Sequence, residues 1–79
     1  MYRITFSDIV KKMIIEEGIN ELELIKLIKI NLSNYYFDKE QDLIISFDMN
    51  NKKTLIIGVK DKQNITITHI STNPIIVDI

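Results

Sequence analysis

His69 is the single histidine of the chain and the one side chain whose ordinary titration lies near neutral pH. It closes an alternation in which Ile65 and Ile67 are separated by Thr66 and Thr68, so strand spacing puts it in phase with two aliphatic residues. That position predicts a structural histidine at the margin of a core. A general base or metal ligand would need Asp, Glu or further His nearby, and its chain neighbours supply none. Tyr35, Tyr36 and Phe37 offer rings on which bases stack, and Lys39, Lys52, Lys53, Lys60 and Lys62 offer cations that follow a phosphate backbone. These lysines fall at the ends of expected hairpins, where solvated charge is ordinary. Glu16 and Glu17 follow Lys11 and Lys12 at helical spacing, a solvated face worth about 0.2–0.5 kcal/mol per pair. With two glycines in all, no phosphate-cradling loop exists, and no paired carboxylates or nucleophile–base spacing stands out. No metal and no cofactor is implied.

The balance of charge points the same way. Ten basic residues against eleven acidic ones give a net charge of −1, whereas nucleic-acid binders ordinarily carry a basic excess. Nucleic acid is disfavoured as a partner, with a local patch at Lys52 and Lys53 the place to look for it. Cysteine is absent, so neither a disulfide nor a thiolate metal site can hold the fold. The 79 residues suffice for one domain, 1–79, that must stand on its apolar core. That core is well supplied: 46% of residues are hydrophobic and eighteen are isoleucine, while alanine is missing, a composition typical of AT-rich coding sequence. No run approaches the ~20 apolar residues of a membrane span, and the opening residues lack the apolar stretch of a signal peptide. The expected compartment is the cytoplasm, where the sequons at Asn31 and Asn64 carry no meaning, and no membrane is involved.

The elements that would position these residues follow from spacing. Residues 2–6 alternate as a short strand. Ser7 is an N-cap, Asp8 complements the dipole of the helix it begins, and Gly18 ends that helix after about Glu17. Ile9, Val10, Met13 and Ile14 are its expected core face. Asn20 caps a second helix, with Glu23 three positions on, running to about Leu32. Leu24, Ile25, Ile28 and Leu32 face the core, and Leu27 and Ile30 lie nearly opposite, either covered by the sheet or a loop or forming a ridge for a partner. Residues 33–41 read as a connector. From Asp42 the period becomes two, with strands over 42–48, 53–60 and 64–70, turns at 49–52 and 61–63, and Pro74 before an edge strand or tail at 75–79. The expectation is a two-layer α+β domain: a short N-terminal strand, two helices, then a three- to four-stranded antiparallel meander.

The segment from Phe6 and Ser7 through Gly18 and Ile19, together with the Asn64-Ile65-Thr66-Ile67-Thr68 strand, resembles small bacterial domains related to the RelE and BrnT toxins. Their opening reads roughly F-S-x-H-A-x-x-R-M-x-x-R-G-I, and the layout agrees over nearly the whole chain. The resemblance implies a RelE-like scaffold from a toxin–antitoxin, phage or mobile-element context. The family's histidine and two arginines fall on one helix face, and the matching positions here are Ile9, Met13 and Glu17. An aliphatic group, a thioether and a carboxylate hold no scissile phosphate and supply no acid or base.

Two functions follow as expectations. The first is a non-enzymatic interaction module, a catalytically silent RelE-like scaffold that docks on another protein or on itself through Leu27, Ile30, Ile15 and Glu17. The second is a RelE/BrnT-like ribonuclease with a rearranged site built from His69, Tyr36, Lys52 and Lys53. It ranks lower because one histidine without neighbouring cations is a weak acid–base catalyst.

Overall fold

A computed structural model describes residues 2–33 and 42–74. It contains β1 (Arg3–Phe6), α1 (Asp8–Glu16), α2 (Glu21–Leu32), β2 (Asp42–Met49), β3 (Lys52–Asp61) and β4 (Asn64–Pro74). The expected α+β order is present, with a three-strand antiparallel meander after the helices. Ser33 of the expected connector (33–41) is the C-cap of α2; the rest of it and the expected terminal strand or tail (75–79) lie outside the described residues.

Local chemistry explains where the helices begin and end. The Ser7 hydroxyl accepts from the Val10 N–H at 3.4 Å, and the Asn20 side-chain oxygen accepts from the Glu23 N–H at 3.0 Å, each covering an otherwise orphaned donor. At the far end of α1 the Ile19 N–H donates to the Ile14 carbonyl and the Gly18 N–H to the Ile15 carbonyl. That 6→1 and 5→2 pair is a Schellman stop, and it requires the left-handed conformation that Gly18 adopts at φ 66°. The chain therefore turns directly from α1 into the cap of α2.

The four strands form one sheet in the order β1-β4-β3-β2. β1 runs parallel to β4, while β2–β3 and β3–β4 are antiparallel hairpins. The first hairpin turns on Asn50 and Asn51, both at positive φ, the residue type that tolerates this conformation best after glycine. The second turns at Lys62 (φ 57°), where a lysine holds a conformation that costs a side chain about 1–2 kcal/mol. β4 runs past the expected Ile70 to Pro74, and Pro74 stands opposite Lys52 at the last rung, where a missing N–H does least harm.

Both helices cover one face of the sheet, α1 over β4 and β1, and α2 against β2. Val10 and Ile14 from α1, Leu24, Ile28 and Leu32 from α2, and Leu43, Ile45, Ile56, Ile65 and Ile67 from the strands are buried together. Two expectations are corrected. Ile9, expected on the core face of α1, is 73% exposed. At about 100° per residue it lies some 140° from Ile14, outside the narrow stripe that a nine-residue helix presents to the sheet. His69, expected in phase with Ile65 and Ile67 at the core margin, is exposed. A bulge between Ile57 and Gly58 leaves Thr68 without a cross-strand partner, so the inside–outside alternation resets: Ile67 is buried, His69 faces outward and Ile70 is buried again.

Candidate functional site

The residues that would carry ribonuclease chemistry stand apart. His69 pairs across the ladder with Ile57, whereas Lys53 pairs with Asn73, four positions further along β4. At about 3.3 Å per residue that separation is roughly 13 Å. The His69 Nδ1 lies 3.1 Å from the Thr68 hydroxyl, and Thr68 in turn donates to the Ile57 carbonyl at 3.3 Å, a local network at the bulge. Lys53 is engaged by Asp48 at 3.5 Å. Lys52 lines a shallow crevice of about 170 Å³ with Glu17, Ile19, Met49 and Thr72. Tyr36 lies outside the described residues. Among the described residues no three His, Cys, Asp or Glu side chains are grouped to hold a metal ion, and no helix is long and apolar enough to cross a membrane.

The helix surface expected to dock a partner is also dispersed. Leu27 is half-buried and packs against the core, whereas Ile30 is 55% and Ile15 80% exposed on different helices. Ile30 joins Leu22 and Ile25 in an open depression on the outside of α2, interrupted by Lys26 and Lys29. Glu17, the C-cap of α1, faces the Lys52 crevice instead. Of the three positions compared with the RelE/BrnT pattern, Ile9 is exposed, Met13 half-buried and Glu17 exposed.

The more coherent surface is on the other side of the molecule. The sheet face turned away from the helices carries Leu55, Ile57 and Val59 on β3 and Ile44 on β2. Ile44 is 59%, Val59 45% and Leu55 37% exposed, and Ile57 is half-buried. Ile44 stands directly opposite Ile57, with Leu55 and Val59 two positions either side along β3, so the four side chains are contiguous. An antiparallel sheet with one wet face normally alternates apolar-in with polar-out, as β2 does at Ser46 and Asp48. β3 does not alternate. Its sequence reads as an unbroken Leu55-Ile56-Ile57-Gly58-Val59 run, the pattern of a strand covered on both faces. That run is the sequence signal for this surface, and it is not a period-two pattern.

Gly58 stands at the same bulge. A Cβ on Gly58 would meet the Thr66 carbonyl oxygen at 2.9 Å and the Ile67 Cδ1 at 3.1 Å, so only glycine fits beside β4 here. Comparison with known protein families, with curated proteins and with solved structures finds no match to this chain.

Proposed function

We propose that this chain is a non-enzymatic protein-interaction module whose docking surface is the open face of the sheet. The observation that carries the reading is β3, a strand aliphatic on both sides in a two-layer domain whose helices cover only one of them. Contiguous apolar surface of this kind marks interaction sites, because removing it from water is favourable by about 25 cal/mol per Å². The likeness of the Phe6–Ile19 segment to RelE and BrnT domains supplies a context, a cytoplasmic toxin–antitoxin or phage setting in which a silent scaffold serves as a binding subunit. The α1 residues Ile9, Met13 and Glu17 support that silence, having no group with which to grip a phosphate.

Matched captures from host lysate test the reading, using the wild-type chain and an Ile44→Lys/Ile57→Lys variant as baits. Proteins retained by the first and lost by the second are the expected result. Identical captures by both baits overturn the docking surface. Cleavage of single-stranded RNA by the purified chain, abolished by His69→Ala, overturns the non-enzymatic assignment.

A further inference from the structure

We infer that the occupant of the open sheet face is a second copy of the same chain, stacked face to face about a two-fold axis running between β2 and β3. This rests on the reading of that face as a docking surface and adds the identity of the partner. The outward positions of the two strands are in register as Asp42 with Val59, Ile44 with Ile57, Ser46 with Leu55 and Asp48 with Lys53. A two-fold parallel to the strands keeps each residue at its level and exchanges the two strands. Each outward side chain of β2 therefore comes to lie over its own ladder partner in the other copy. Ile44 then covers Ile57 of the second copy, and its Ile57 is covered in return.

The same operation decides the charges. Asp48 and Lys53 are paired within one copy at 3.5 Å, and both side chains remain more than half exposed. Across the two-fold, Asp48 meets Lys53 of the second copy and Lys53 meets its Asp48, so four charges of alternating sign cluster at one end of the interface. At the other end Asp42 lies over Val59 of the second copy, at the margin of the contact where its carboxylate keeps water, and Ser46 lies over Leu55, so the dry centre is the reciprocal Ile44–Ile57 pair. An aliphatic centre with a charged, solvated rim is the anatomy of a reversible protein interface, and an isologous contact closes at the dimer without propagating.

Area sets the strength. β2 is an edge strand, so the two-fold superposes only β2 and β3; two strands spaced about 4.8 Å apart and about eight residues long give a stacked footprint of roughly 250 Å² per copy. Specific stable interfaces bury about 800 Å² per partner, so this dimer dissociates on dilution. The self-complementary charges add orientation and contribute little to affinity.

A charge-swap experiment on the full chain tests the proposal. Sedimentation equilibrium from about 10 µM to about 1 mM should show a monomer–dimer equilibrium for the wild type. Asp48→Lys places like positive charges over one another in its own homodimer, and Lys53→Asp places like negative charges. Each alone should weaken dimerisation several-fold, and mixing the two variants should restore a dimer, now mixed, to wild-type strength or above. Ile57→Lys should remain monomeric throughout, with circular dichroism confirming that it is folded. A wild-type monomer at every concentration overturns self-pairing while leaving the docking surface to the capture experiment. A dimer indifferent to both charge reversals and to Ile57→Lys overturns this geometry.

Discussion

The outer surface of the helices and the open face of the sheet both expose large aliphatic side chains, and the difference between them lies in arrangement. On the helices Ile9, Ile15 and Leu22 are among the most exposed residues of their kind, at 73%, 80% and 79%. They stand among charged neighbours, including Lys12 and Glu16, which pair at 3.9 Å. On the sheet the exposures are smaller, but Ile44, Leu55, Ile57 and Val59 touch one another's positions in register. Single exposed aliphatics are normal on any protein surface, whereas a contiguous set is not. Exposure alone would have chosen Ile15; continuity chooses Ile57.

The largest expected effect sharpens the comparison within β3 itself. Ile56 is fully buried and Ile57 is its neighbour on the opposite face. Ile56→Ala should cost about 2–5 kcal/mol of unfolding free energy through lost burial and a residual cavity. Ile57→Ala should cost well under half as much in dilute solution and should weaken self-association instead. Urea melts at low concentration measure the first, and sedimentation measures the second. Equal losses of stability at both positions would mean that the outward face is already covered within one copy.

Gly58→Ala should come next, at about 1–3 kcal/mol, because the new methyl group meets backbone at the bulge and the rigid ladder cannot yield. The urea midpoint reads this loss. Thr54 tests the helix-covered face in the opposite sense. Its side chain is fully buried and its hydroxyl has no hydrogen-bond partner among the described residues. Thr54→Val keeps the shape and removes the unsatisfied group, so it should raise stability by about 1 kcal/mol, seen as a higher melting temperature. Lys62→Gly should stabilise by a little less, about 0.5–1 kcal/mol, by relieving the left-handed lysine in the β3–β4 turn. Smallest of all, Ile15→Lys and Leu22→Lys should each shift stability by no more than about 0.5 kcal/mol and leave association unchanged. A loss of dimer in either would transfer the docking surface to the helices.

Much of the fold was legible because its signals are local. Ser7 and Asn20 cap their helices through side-chain oxygens three residues from the donors they satisfy, and Gly18 stops α1 through its own backbone freedom. The alternation of Leu43, Ile45 and Phe47 with Ile44, Ser46 and Asp48 gave β2 its faces directly. The site was less legible. The helix pattern drew attention to Leu27, Ile30 and Ile15, but Leu27 is half-buried against the core and the other two lie on separate helices. The aliphatic run in β3 was visible, yet an apolar run does not say which of its faces the rest of the chain will cover.

By itself the sequence determined the kind and order of the elements: caps, turns and hydrophobic period act over a few residues, and their energies are fixed before any distant contact forms. It also determined that no thiol chemistry takes place and that the chain carries almost no net charge. Only the tertiary structure decided that β1 adds to the sheet in parallel beside β4, that both helices fall on one face, and that His69 points outward. Each depends on residues far apart in the chain. The bulge at Ile57/Gly58 shows why: one unpaired residue in a ladder exchanges inside for outside beyond it, and nothing in the local spacing of Ile65, Ile67 and His69 registers the strand on the other side.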